Sequence, residues 1–131
     1  MIIKTLILNG NHFSDLPSFY EEANLVLTKN LDWNLGASLD ALNDILYGGF
    51  GVFEPNEEVI LLWKNHEKSK KELGIEATKA FYESKIEKGY PFSVSLNKER
   101  LDHLLAGEGQ TLFQIIVEIM NDHHYINLIL D

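Results

Sequence analysis

The chain has 131 residues and no cysteine, with 11 Lys and Arg against 20 Asp and Glu, for a net charge of −9. Disulfides, thiolate metal sites and a cysteine nucleophile are therefore excluded. Direct binding to nucleic acid or to an anionic membrane is disfavoured, since both need clustered Lys and Arg, and the partner that this charge attracts is a basic protein.

The length suits one domain with a real core. The stretch Met1 to Leu8 carries a single Lys and is too short for a signal-peptide core with its cleavage site. No apolar run approaches the length of a membrane span. The expected compartment is the cytoplasm.

Ile2 to Leu8 is aliphatic and β-branched and stops at Asn9-Gly10-Asn11, which predicts a buried strand and a turn. Ser14 or Asp15 can cap a helix over about 15–28, with Pro17 in its first turn. Leu31 to Gly36 reads as a loop carrying Trp33. Ser38 is a good N-cap for a helix to Leu46 with Leu39, Leu42, Ile45 and Leu46 on its inner face, and Gly48-Gly49-Phe50-Gly51 ends it.

Glu58 to Trp63 reads as a second strand. Asn65 can cap a helix to Leu73, closed by Gly74 at the C′ position. Ile75 to Lys88 alternates Lys and Glu at helical spacing, with a thin apolar stripe of Ala77, Ala80, Phe81 and Ile86. Tyr90 to Leu96 is expected to be extended, and Asn97 to cap a short helix to Ala106. Thr111 caps an apolar helix from Leu112 to about Asn121, and Tyr125 to Leu130 is a last strand. Short, unalternating strands separated by helices predict an α/β fold with a small three-stranded parallel sheet, covered on both faces.

The feature most charged with function is Gly36 to Asp44. Asp40 and Asp44, four apart on a helix, share one face, where like charges repel by a few tenths of a kcal/mol. From Asn30 to Trp63 there is no Lys or Arg, while Asp32, Asp40, Asp44, Glu54, Glu57 and Glu58 are acidic. Such a face either meets something strongly positive or is simply solvated. Catalysis by this pair lacks a His, Lys or pocket-forming segment tied to it.

His123 and His124 are adjacent, a spacing that sends side chains apart and fits a metal site poorly. Gly48-Gly49-Phe50-Gly51 matches no phosphate-binding pattern and follows a helix instead of leading into one. Trp33, Tyr47 and Phe50 bracket the acidic helix, as binding aromatics or as core. Glu118 interrupts the most apolar helix, so it should point outward or find a partner. No cofactor and no metal is implied.

Strand, Asn9-Gly10, helix, Gly36-x-x-Leu39-Asp40-Ala41-Leu42-x-Asp44, then Val59 to Trp63 followed by Glu67-x-Ser69-Lys70, resembles the barstar family, intracellular inhibitors of the ribonuclease barnase. Phe113 to Leu130 is similar to that family's last helix and strand. The likeness covers 1–73 and 110–131; residues 74–109 look like an insertion found in a longer branch.

The resemblance implies three parallel strands with helices packed around them. It also implies an acidic helix that enters the active site of a basic ribonuclease, where carboxylates replace RNA phosphates. Asp40 and Asp44 fall on the two family aspartates, with Asp44 expected in the phosphate pocket. Gly48 falls on the glycine after the helix, and Glu118 on an acidic contact of the last helix. Where the family has aromatics, this chain has Asn43 before the second aspartate, Asn34 beside Trp33, and Gly49 after Gly48. The charges are kept and their aromatic frame is altered, which points to a basic ribonuclease or ribonuclease-like toxin other than barnase.

The expected function is therefore an inhibitor or immunity protein, not an enzyme, monomeric when free. The alternative is a barstar-like scaffold binding a basic protein that is not a nuclease. Residues 74–109 are expected to pack on the sheet as helices, away from the acidic face.

Overall fold

A computed structural model describes residues 2–29 and 37–131. Three strands, β1 (Lys4–Asn9), β2 (Val59–Lys64) and β3 (Ile126–Leu130), form one parallel sheet in the order β1-β2-β3. The first crossover carries α1 (Leu16–Leu27) and α2 (Leu39–Ile45). The second carries α3 (His66–Glu72), α4 (Ile75–Lys88), α5 (Val94–Leu105) and α6 (Leu112–Asn121). The α/β class and the parallel sheet are those expected, with strand limits shifted by a residue or two.

Local chemistry explains most starts. Asp15 accepts from the Ser18 N–H at 3.0 Å and has Pro17 in the first turn, so α1 begins there. The short Ser18 contacts also hold the Asp15 carboxyl below its usual range. Thr111 and Gln114 form the reciprocal box of α6.

The core lies on one face of the sheet. Leu6, Leu8, Val59, Leu61, Trp63 and Ile126 point into it and are buried. Trp63 stacks on Phe19 with centroids 5.7 Å apart, and its indole N–H donates to Ser69 Oγ at 3.0 Å, which satisfies its one buried polar atom. Among the described residues the opposite face has no helical cover, contrary to the expected two-sided cover. Ile7, Leu62 and Ile129 pair in register across it, and Ile7 and Ile129 are 47% and 45% exposed. These apolar residues on the open face remove the alternation that normally marks a one-sided sheet.

Three further expectations are corrected. Asn65 does precede α3, but its backbone is left-handed (φ 54°) and its side chain makes no cap bond, donating instead to Asn11 Oδ1 at 2.8 Å. Gly74 is not a left-handed C′ residue: its φ is −85°, and it leads directly into α4. Finally, α5 starts at Val94, inside the stretch expected to be extended. Ser93 Oγ accepts from the Leu96 N–H, while Asn97 is buried within the helix and donates to the Ser93 carbonyl at 2.8 Å.

Residues 74–109 are helical, as expected, but they pack elsewhere than on the sheet. α4 and α5 lie against each other, and α4 docks on α6. Ala77 and Phe81 pack against the core. Buried Thr78 fastens the arm: its hydroxyl donates to the Gly74 carbonyl at 2.7 Å and accepts from the Leu112 N–H at 2.8 Å.

Candidate functional site

α2 is a short helix held by three anchors. Leu42, Ile45 and Leu46 are each no more than 2% exposed. Its start is fixed by Ser38, whose Oγ accepts from the Ala41 N–H at 3.0 Å. With the inner face so committed, Asp40 and Asp44 fall on the outside, and both are exposed. Neither makes an ion pair among the described residues. Asp40 lies in the first turn, where the helix dipole favours a negative charge.

The turn after α2 requires glycine. Gly48 has φ +85°, and a Cβ there would meet the Glu54 carbonyl at 2.9 Å. Asn43, on the same helix, is tied down: its Oδ1 lies 2.8 Å from His123 Nε2, and the Tyr47 ring meets the His123 ring edge-on at 4.6 Å. Burial lowers the His123 pKa, against the opposing pull of Asp122. A cavity of about 330 Å³ opens here, with Asn43, Tyr47, Phe53, Glu57 and His123 among its lining.

Glu118 is exposed on α6, and its Oε2 accepts from Gln110 Nε2 at 2.7 Å. α6 packs beside α2. Ile115 shares a cavity with Leu39, and Asp122 shares another with Asn43. Glu118 lies three residues after Ile115 and four before Asp122, on the stripe between them. Asp40, Asn43, Asp44, Gly48 and Glu118 thus belong to adjoining elements. Trp33 and Asn34 lie outside the described residues.

Two features of the site were not foreseen. The arm formed by α4 and α5 does not keep away from the acidic helix: Leu39 of α2 lines one cavity together with Phe81 and Lys85 of α4 and Arg100 of α5, and, while burial and then Arg100 push the Lys85 pKa down, Asp40 partly opposes them. Asp40 also adds to the effect of burial on Tyr20 of α1, whose pKa is pushed up to about 12. The local stretch Asn30 to Trp63 has no base, but the fold brings one within electrostatic reach from 45 positions away, a proximity that no local pattern announces. The second is the bond between Asn43 and His123, which ties α2 to the turn that follows α6.

Among the described residues no cluster of His, Asp and Glu could hold a metal ion, and no helix is long and apolar enough to cross a membrane. Comparison with protein-family models, curated proteins and solved structures finds no match for this chain.

Proposed function

We propose that this chain is a barstar-like inhibitor, an intracellular immunity protein that occludes the active site of a basic ribonuclease with α2. The observation that carries this reading is the pair Asp40 and Asp44: both exposed, on one anchored helix, with no ion pair among the described residues. A helix fixed by Leu42, Ile45 and Leu46 presents its carboxylates at a set spacing, so little ordering entropy remains to be lost on binding. Aligned with Lys and Arg side chains that normally hold RNA phosphates, the carboxylates make charge-assisted hydrogen bonds there and exclude substrate. The turn at Gly48 lets the chain leave the site without a side chain in the way. Glu118 adds a further acid on the neighbouring helix. No bond is made or broken.

The fixed Asn43 and the charges of the arm favour a partner other than barnase. Lys85 near Asp40 also gives some support to the second reading, a scaffold for a basic protein without nuclease activity, since it makes the face less uniformly acidic.

Capture on immobilised protein followed by an RNA-cleavage assay separates the two. The first reading expects a captured basic nuclease whose activity falls as the protein is titrated in. Asp44→Ala is expected to weaken the complex by more than about 1.4 kcal/mol, tenfold in affinity. Its melting temperature should stay level or rise, because a like-charge neighbour is removed. The on-rate should fall steeply with salt, which screens attraction over about 10 Å at 0.1 M, while the off-rate changes less. A nuclease inhibited equally well by Asp44→Ala would sink the reading; capture of a basic protein without nuclease activity through the same aspartates would select the scaffold.

A further inference from the structure

We propose that the cavity between α2, α4, α5 and α6 binds a small organic phosphate of about mononucleotide size, with Lys85, Arg100 and His103 taking its charged head. The site is independent of the ribonuclease reading and would stand if that reading fell.

The cavity measures about 370 Å³, inside the roughly 300–1,000 Å³ of small-molecule sites. Its charge is the reverse of the chain's. Lys85, Arg100 and His103 line it and, among the described residues, no carboxylate does, although acids outnumber Lys and Arg by 20 to 11 in the sequence. Arg100 and His103 are three apart on α5 and share a face. Lys85 reaches in from α4, with its ammonium 4.1 Å from the Phe81 centroid and 5.2 Å from that of Phe92. The two rings hold the cation in place without neutralising it.

Gathering these cations has an electrostatic cost. Burial, and then the Arg100 charge, push the Lys85 pKa down, and Asp40 offsets only part of this. Neither Lys85 nor Arg100 has an ion-pair partner among the described residues. A monoanionic carboxylate would answer one cation. A phosphate monoester carries a charge of about −1.5 to −2 at pH 7 and three acceptor oxygens, and so answers the group.

The remaining wall is mainly apolar, with Gln110, whose amide donates to Glu118 at 2.7 Å, as its polar member. Leu39, Phe81, Tyr82 and Ile115 face the same space. Inorganic phosphate gains nothing from them, whereas an organic body of aromatic size does. A nucleic acid polymer is disfavoured, because a chain of net charge −9 repels a polyanion over its whole length. A single small anion need only enter the one basic recess.

Calorimetry and amide chemical-shift mapping on the full chain test this with four probes: a nucleoside monophosphate, its nucleoside, inorganic phosphate and benzoate. The monophosphate is expected to saturate with a Kd below about 1 mM, shifting resonances at Leu39, Phe81, Arg100 and Ile115. Nucleoside and phosphate alone should each bind at least roughly tenfold more weakly, and benzoate should fall between. Arg100→Gln, an exposed position that leaves the fold intact, should cost roughly tenfold in monophosphate affinity. Inorganic phosphate binding as tightly as the monophosphate would reduce the site to a surface ion. Benzoate binding more tightly would reassign it to carboxylates. No saturation by about 10 mM, or affinity unchanged in Arg100→Gln, would overturn it.

Discussion

α2 and the arm formed by α4 and α5 are both charged, exposed and helical, yet they use charge in opposite ways. α2 gathers like charges on a short helix that the core grips with Leu42, Ile45 and Leu46. The arm scatters Lys and Glu along two longer helices and gathers its cations only where α4 meets α5. In the first case the charge pattern is local and the packing is strong. In the second the pattern arises from folding, and the attachment rests on a few groups: Ala77, Phe81 and the hydroxyl of Thr78. Where like charges cluster on a tightly anchored element, the repulsion is tolerated because the anchors exceed it. Where they cluster across a loosely attached pair of helices, the same repulsion should loosen the attachment.

The sharpest way to break this contrast is to unfasten the arm. Thr78→Val keeps the side-chain shape but removes the acceptor for the buried Leu112 N–H. An unsatisfied buried donor costs about 1–3 kcal/mol. Hydrogen exchange should rise across α4 and α5 far more than across α2, and thermal melts should show the loss of stability. Equal exchange in both regions would mean that the arm and the acidic helix share one cooperative unit.

A smaller effect is expected at the start of α2. Ser38→Ala removes the acceptor for the Ala41 N–H, at about 1 kcal/mol for a typical N-cap. Because α2 is only seven residues long, fraying of its first turn should displace Asp40 more than Asp44. Partner affinity should therefore fall less in Ser38→Ala than in Asp44→Ala. The reverse order would make Asp40 the principal contact.

Smaller again is the link between the two regions. Asp40→Asn should lower the Lys85 pKa further, since Asp40 is the group that raises it, whereas Asp44→Asn should leave it nearly unmoved. Lysine side-chain NMR titration of the two variants measures this directly. An equal response to both would place Lys85 over the whole acidic face instead of at its first turn.

The sequence was informative wherever a structural decision is made by neighbours along the chain. Ser38, Asp15 and Thr111 cap helices with their own side chains, and the aliphatic runs at β1, β2 and β3 mark the sheet. The outward placement of Asp40 and Asp44 followed from the spacing of Leu42, Ile45 and Leu46. It was less informative where distant residues decide. Ile7, Leu62 and Ile129 look like buried positions, and they stay open because no second helical layer covers them among the described residues. Asn97 has the chemistry of a cap, but its amide is drawn back to the Ser93 carbonyl. The nearness of Lys85 to Asp40 depends on how α4 docks on α6, which no periodicity encodes. Glu118 was expected to point outward or find a partner, and it does both, through Gln110.

The least perturbing test concerns the Asn43–His123 bond beside α2. His123 is bonded to Asn43 and covered by Tyr47, and burial holds its pKa below the ordinary 6.5 of histidine. The folded state therefore favours the neutral ring, and the unfolded chain takes up the proton first as pH falls. The contribution of His123 to stability is complete above about pH 6.5 and is lost as pH falls through the folded value. Asp122 works against this by favouring the charged ring, so the slope should be shallow. Melting temperatures from pH 8 down to pH 5 should show wild type losing a small advantage over His123→Gln, whose amide can still reach Asn43. The ring resonance itself should titrate below the ordinary value. A resonance titrating above that value would mean that Asp122 dominates, that the charged ring is the favoured one, and that the Asn43 frame tightens in acid instead of loosening.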